Sequence, residues 1–296
     1  MFWKNPGSWY RGNLHTHTSN SDGELAPAQI ARAYRDKSYD FLCLSDHNRI
    51  TPVEDLSDED FLVIPGEEIN LGNSGAGTPY HLLVFNLPAE ISTEENTPPQ
   101  EVIDAALSKG AEVIIAHPYW SALTINELLP LKGYLGIEIF NSSCLFSIAK
   151  GHALTHWDDL LIRGRRILGF ATDDSHQVHN EHRPEDTAVS GIMVKAGSLS
   201  RENIMTAIRR GHFYSSSGPE IKEVSREGPQ IRVLTSPVKI INFVADAANG
   251  ESFTAPGEDS FTEAVYEVRG REKYIRVECY DGYGRGAWTN PIFPSY

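Results

Sequence analysis

Six histidines and several carboxylates of this 296-residue chain fall at spacings that suit divalent-cation chemistry. His15 and His17 flank Thr16 at the end of an apolar run, and the two-residue period of a strand turns both imidazoles to one face, within reach of one cation. Asp22 follows in Ser21-Asp22-Gly23, and Asp46-His47 ends a second apolar run. A third run ends Pro65-Gly66-Glu67-Glu68, the next begins at His81, another ends at His117-Pro118, and a later one ends Thr172-Asp173-Asp174-Ser175-His176. Each has a bland reading alone. An H-x-H pair arises by chance in a chain with 11 histidines, and Asp46-His47 also fits a strand end followed by a helix cap. Taken together, imidazole and carboxylate donors without thiolates suit zinc, manganese or iron(II), and the chemistry such ions support is hydrolysis by activated water.

Such side chains converge only if the elements that carry them do. From residue 10 to about 215, short apolar runs alternate with helical patterns. Strands are expected at Gly12 to His17, Tyr39 to Ser45, Phe61 to Pro65, His81 to Asn86, Glu112 to His117, Tyr134 to Phe140, Ile167 to Thr172 and Val189 to Lys195. Between them, Ile30, Ala33 and Tyr34 carry helical spacing, as do Val102, Ile103, Ala106 and Leu107, then Trp157, Leu160 and Leu161, then Ile204, Ala207 and Ile208. Repeated strand-helix-strand units imply an α/β fold with a parallel sheet closed into a barrel of about seven units, whose C-terminal strand ends share one mouth. After Ser215-Ser216-Ser217-Gly218-Pro219 helical periodicity stops. Ile275, Val277 and Cys279 alternate with Arg276, Glu278 and Tyr280, the signature of a strand. Two domains are therefore expected, 1–218 as the barrel and 219–296 as a small β-sandwich docked on it, since fewer than about 80 residues hold little core.

At these residues the chain resembles the PHP (polymerase and histidinol phosphatase) superfamily of metallohydrolases, distorted (β/α)7 barrels that hold two or three divalent metal ions. The H-x-H motif matches His15 and His17, the S-D-G context matches Asp22, and the D-H pair matches Asp46 and His47. The G-x-E motif matches Gly66-Glu67-Glu68, the lone histidine His81, the A-H-P motif Ala116-His117-Pro118, and the closing D-x-H Asp174 and His176. The resemblance implies metal ligation by His15, His17, Asp22, His47, Glu68, His81, His117, Asp174 and His176, with Glu68 bridging, Glu67 and Asp173 as neighbours, and Asp46 supporting its histidine at the catalytic centre. His81 and His176 are the candidates to protonate a leaving group. Near Ile137 the choice between Glu138 and Asn141 as a further ligand stays open. Arg210-Gly211-His212-Phe213-Tyr214, Ser217-Gly218-Pro219 and Ala287-Trp288-Thr289-Asn290-Pro291-Ile292-Phe293 resemble one branch, the carbaryl-hydrolase-like (CehA/McbA-type) metallohydrolases.

The activity expected is hydrolysis of a small or terminal phosphoester, with Tyr119 and Arg183 as candidate substrate contacts. Carbamate or amide hydrolysis by the same metals, or a metal-stabilised binding module, are the competing readings. Composition narrows the partners. Lys+Arg 26 against Asp+Glu 40 leaves a net charge of −14, which disfavours duplex nucleic acid because counterion release needs clustered basic residues. The local field at a metal mouth is set first by the ions, so an anionic substrate remains compatible. No apolar stretch approaches the roughly 18 residues of a membrane span, and Met1 to Tyr10 lack a signal-peptide pattern. Three widely spaced cysteines, Cys43, Cys144 and Cys279, fit reduced core thiols and a cytoplasmic location. No G-x-S-x-G, P-loop or C-x-x-C motif occurs, and the glycine-rich stretch from Gly72 to Gly77 reads as a flexible hairpin or lid.

Overall fold

Most expected apolar runs form strands with shifted bounds, the first spanning Ser8–Asn13 and ending before His15, the third running on to Leu71, and their hydrogen bonding sets the directions. In the computed structural model, which describes residues 6–94 and 96–294, the first part of the chain runs β1 (Ser8–Asn13), α1 (Pro27–Asp36), β2 (Phe41–Leu44), β3 (Leu62–Leu71), β4 (Tyr80–Phe85), α2 (Pro99–Ser108), β5 (Glu112–Ile115), α3 (Ile125–Leu128), β6 (Gly136–Asn141), α4 (Ser142–Ile148), α5 (Leu154–Ile162), β7 (Leu168–Thr172), β8 (Gly191–Ala196), α6 (Arg201–Arg209) and β9 (Phe213–Ser216). Ile30 and Tyr34 of α1, Val102, Ile103 and Ala106 of α2, Trp157, Leu160 and Leu161 of α5, and Ile204, Ala207 and Ile208 of α6 are buried, whereas Leu107 stays exposed. The tail adds β10 (Ile221–Glu227), β11 (Gln230–Val238), β12 (Ile240–Ala245), β13 (Gly250–Thr254), β14 (Phe261–Glu267), β15 (Ile275–Tyr280) and β16 (Gly286–Thr289).

The fold is mixed α/β. One 13-stranded sheet has the order β13-β12-β15-β16-β9-β8-β1-β2-β3-β4-β5-β6-β7, and β10, β11 and β14 form a separate antiparallel sheet. Strands β1, β2 and β3 pair in parallel, as do β5, β6 and β7. The expected all-parallel order fails at β4, which is antiparallel to both β3 and β5, and at β8 and β9. Apolar runs encode burial but not direction, and the short β3–β4 connection permits a hairpin where a parallel pair needs a longer crossover. No ladder joins β7 back to β1 among the described residues; at the rim the two meet through a single parallel bridge, Thr16 to Ser175. Side chains satisfy the other edge of β7. Ser215 Oγ accepts from Ala171 N at 2.9 Å and donates to Gly169 O at 2.9 Å, while Asn290 Oδ1 accepts from Gly169 N at 3.1 Å. Asn290 Nδ2 donates to Gly211 O and Phe213 O at 3.3 and 3.1 Å, so the two branch-like motifs meet at one carboxamide.

The tail strands share an apolar core with the small sheet, in which Phe243 stacks on Tyr266 with centroids 5.3 Å apart. The large sheet is continuous from the core strands into this region through the β9–β16 pair. Cys43, Cys144 and Cys279 are free and buried. Among the described residues no helix is long and apolar enough to cross a membrane.

Candidate metal centre

The strands deliver their ends to one rim. Past β1 the backbone stays extended: His17 N donates to Ser175 O at 2.9 Å and Ser45 N to Thr16 O at 2.9 Å, which pins His15 and His17 between the ends of β7 and β2. His47 follows β2 and bridges to Glu68 of β3. β3 runs on through Leu71, so Glu68 lies within the strand rather than at its end. Gly66 of the G-E-E triplet is required by close approach, because a Cβ there would stand 2.5 Å from Cys43 Sγ and 2.8 Å from Val84 O. The antiparallel turn into β4 places His81 opposite Asn70, and Ala116 N donates to His81 O at 3.0 Å, so His81 and His117 sit side by side. Asp174 and His176 follow β7. His117 and Asp174 both occupy the left-handed region, at φ 22° and 53°; strained backbone of this kind persists where surrounding contacts fix it and concentrates at functional sites.

Three ligand groups result. His15, His17, Glu68 and Asp174, all buried, form one; His17, Asp22, His47 and His176 form a second; His47, Glu68 and His81 form a third. In the first, His15 Nε2 lies 3.2 Å from His17 Nε2, 3.2 Å from Glu68 Oε2 and 3.1 Å from Asp174 Oδ1. His17 Nε2 lies 3.2 and 3.1 Å from the same two oxygens. A tetrahedron of N and O donors about 2.0–2.1 Å from a zinc-sized ion has edges of about 3.3 Å, which these separations approach. Glu68 spans two groups: its Oε2 faces His15, His17 and, at 3.1 Å, His47 Nδ1, while its Oε1 faces His81 Nδ1 at 2.8 Å and His117 Nε2 at 3.1 Å. Asp22 Oδ2 approaches His47 Nε2 at 3.5 Å and His176 Nε2 at 3.4 Å. The donors fit divalent cations in a second way. His15 donates through Nδ1 to Glu138 Oε1 at 2.6 Å, His117 Nδ1 lies 3.1 Å from Ser121 Oγ, and His176 Nδ1 donates to Asp174 O at 2.8 Å. Such outer contacts leave Nε2 as the free donor, the pattern that orients metal-binding imidazoles. His47 Nδ1, buried and 3.1 Å from Glu68 Oε2, is not aligned for a hydrogen bond to it.

Among the described residues, charge at the rim is shared between carboxylates and imidazoles alone. Burial opposes ionisation of Glu68 and Asp174, yet neighbouring imidazoles hold both well below the usual carboxylate range. Burial likewise pushes His17 down, but hydrogen bonds to Asp174 and Glu68 hold it up at about 9. His81 is lowered by burial against the pull of Glu68, while His176 is raised, its burial outweighed by Asp22 and Asp174. The adjacent acids divide, Glu67 from Glu68 by strand alternation and Asp173 from Asp174 by the left-handed backbone at Asp174. Glu67 faces the apolar side, where burial lifts it to about 7, and Asp173 is lifted by burial to about 6 although Ser142, Tyr34 and Ser190 donate to it.

Several residues lie apart from the ligand groups. Asp46 is saturated: Oδ1 accepts from Thr18 N at 2.7 Å and Ser21 Oγ at 2.6 Å, and Oδ2 from Thr18 Oγ1 at 2.8 Å and from Thr51 Oγ1. It braces the loop that carries Asp22 and stands outside the three ligand groups. Glu138 and Asn141 both hydrogen-bond to members of the ligand groups. Glu138 accepts from His15, Thr172 Oγ1 at 2.7 Å, His117 N at 2.8 Å and Asn141 Nδ2 at 2.9 Å. Asn141 also donates to Asp174 Oδ2 at 3.2 Å. Above the ligands opens a cleft of about 430 Å³, lined on its wall by Trp120, Ser143, Ile148, Val178 and Arg183. Tyr119 is not among the lining residues; its ring packs toward His156 and Lys150, and the adjacent Trp120 faces the cleft instead. Arg183 Nη2 donates to Ser143 Oγ at 2.8 Å and Asp186 Oδ2 at 3.0 Å, which holds the guanidinium over the site. The contacts of Glu138 and Asn141 with the ligands escape the sequence because they are long-range, the buried-face position of Glu138 in β6 being the one local signal, whereas Trp120, next to His117 and Tyr119, is a pocket-wall candidate in the sequence itself.

No protein-family model and no curated protein matches the chain. Among solved structures it is similar to a two-domain protein from Bacteroides vulgatus containing a predicted PHP-like metal-dependent phosphoesterase, at 15% identity over 98% of this chain and 96% of that one, with a TM-score of 0.48. It is also similar to a Bifidobacterium adolescentis protein described by inference as a metal-dependent phosphoesterase, at 16% identity over 62% of this chain and 96% of that one, with a TM-score of 0.44. A third is an amidohydrolase from Chromobacterium violaceum with bound sulfate and no metal, at 12% identity over 68% and 96%, with a TM-score of 0.46.

Proposed function

We propose that the chain is a metal-dependent hydrolase of the PHP type, with a barrel-like core, acting on a small phosphomonoester. The observation that carries this reading is Glu68, a buried carboxylate whose two oxygens face separate groups of imidazoles. His15, His17, Glu68 and Asp174 would hold one cation, Glu68, His81 and His117 a second, and Asp22, His47 and His176 a third, with zinc, manganese or iron(II) suited to the donors. When bound, these ions supply Lewis acidity toward an ester oxygen and toward water. The protein does the rest by position. Glu138 and Asn141 fix His15, His117 and Asp174, and Asp46 fixes the Asp22 loop. Arg183, pinned by Asp186 and Ser143, presents a preoriented guanidinium to an anionic group, which favours a phosphoester over a neutral carbamate or amide. In the net reaction water adds to phosphorus, the ester P–O bond breaks, and a proton ends on the leaving alcohol; His81, which lines the cleft and turns only Nδ1 to Glu68, is the group placed to hand it over, since both nitrogens of His176 are committed.

The test is a side-by-side assay of p-nitrophenyl phosphate and a p-nitrophenyl carbamate with metal-loaded protein. Phosphate-ester turnover that falls at least about tenfold in Arg183→Ala, with metal content unchanged, is expected. Turnover of the carbamate alone, unaffected by that substitution, would contradict the substrate assignment.

A further inference from the structure

The cleft is asymmetric, and the asymmetry bears on the part of the substrate that leaves. Its floor is the ligand cluster, and Arg183 is the single lysine or arginine among its lining residues. The opposite character appears at the mouth. Trp120 is 39% exposed and Ile148 54%, with Val178 beside them. Trp120 is held edge-on to two imidazoles, with ring centroids 5.7 Å from His81 and 5.1 Å from His117. Large apolar side chains left this open carry a hydration cost, and here they border the one cleft that holds the charged cluster. The polar groups on that wall are few and each is already engaged: Ser147 Oγ donates to Cys144 O at 3.4 Å, and Ser143 Oγ accepts from Arg183. A leaving group rich in hydroxyls would find few partners there, whereas a flat apolar one would cover Trp120 and Ile148.

Resting on the hydrolase reading above, we propose that the substrate is a phosphomonoester of an apolar, ring-bearing alcohol, and that Trp120 and Ile148 are the residues that select it. The anionic end lies between the ligand cluster and Arg183, so the remainder of the ester points to the mouth. The cleft volume accommodates a compact leaving group of one or two rings.

Benzyl phosphate and glycerol phosphate are both esters of ordinary alcohols, so intrinsic leaving-group reactivity does not set their ratio. Wild-type protein loaded with metal should show kcat/KM at least about tenfold higher for benzyl phosphate. Ile148→Ser, at an exposed position away from the ligands, should pull that ratio toward unity, and Trp120→Ala should do so more strongly, while Trp120→Phe keeps most of it. Calorimetry with benzylphosphonate and methylphosphonate gives a second readout that needs no turnover. Tighter binding of the benzyl compound, lost in Ile148→Ser, supports the subsite even if neither ester is hydrolysed, in which case the hydrolase reading alone fails. Equal kcat/KM for the two esters with equal phosphonate affinities, or binding of neither phosphonate, overturns the proposal.

Discussion

Two buried clusters of charge in this molecule are built in opposite ways. Where α5 meets the tail, Arg276 is almost fully buried yet complete: Nε and Nη2 donate to Asp158 at 3.0 and 2.8 Å, Nη1 donates to Glu278, and the guanidinium lies 5.0 Å over Trp157. Tyr274 and Tyr280 hydroxyls donate to the same two carboxylates at 2.9 and 2.8 Å. Burial disfavours the charge, but Glu278 and Asp158 raise the guanidinium above its ordinary value. The rim instead gathers Asp22, Glu68, Glu138 and Asp174 around six imidazoles with no lysine or arginine paired to any of those four carboxylates among the described residues. A buried ionic cluster with a permanent counter-charge is a structural joint, and one whose only counter-charge is imidazole protons that a cation can displace is a place for an ion from solution.

The comparison is broken or sharpened by substitution. The largest effect is expected for Glu68→Gln, which removes a charge faced by two ligand groups: turnover should fall about 100-fold or more and bound metal should drop, with folding retained. Metal content and kinetics check this; unchanged turnover means Glu68 does not bridge. At the other cluster, Arg276→Ala leaves buried Glu278 and half-buried Asp158 without a cationic partner and should cost about 3–5 kcal/mol of stability in denaturant titration, while metal per folded chain stays constant. Equal loss of metal in both variants would erase the distinction drawn between the clusters.

A smaller, pH-dependent effect follows at the rim. With His17 held at about 9 in the metal-free chain, its imidazole carries a proton at pH 7 that an incoming cation must displace. Metal affinity should therefore tighten as pH rises from about 7 toward 9, with proton release visible as buffer-dependent heat in calorimetry. Affinity flat across that range counts against protonated imidazoles as the resting counter-charge. The smallest effect is at Glu67. Its folded value of about 7 lies above the ordinary carboxylate value, so the native state holds a proton the unfolded chain has lost, and stability falls as pH rises through about 4.5 to 7. Glu67→Gln should thus gain about 1–2 kcal/mol at pH 8, gain nothing at pH 4, and leave turnover within about twofold. A large loss of activity would place Glu67, not its neighbour, at the cluster.

What could be read in advance depended on the range of each contact. The groups at His15-Thr16-His17, Asp46-His47 and Asp174-Ser175-His176 are local in sequence, so periodicity alone set their faces toward a rim. The direction of β4 was not legible, because Tyr80 to Phe85 buries six residues in a row whichever way it runs. Nor was the role of Arg276. Strand alternation predicted a second face for Arg276 and Glu278, but only the packing of α5 against that face turns two surface-looking charges into a buried joint. Ser215 and Asn290 likewise appear as a polar stretch until the open edge of β7 is seen to need their hydrogen bonds. Tyr119 and Trp120 are adjacent, and no local pattern distinguishes which of them looks into the cleft.

The most direct measurement is elemental analysis of purified wild-type protein alongside Glu68→Gln and Arg276→Ala, before and after exposure to zinc, manganese and iron(II). The account predicts more than one equivalent of transition metal per wild-type chain, a clear reduction in Glu68→Gln, and wild-type content in the folded fraction of Arg276→Ala. Wild-type protein that retains no metal under any of these conditions would contradict it.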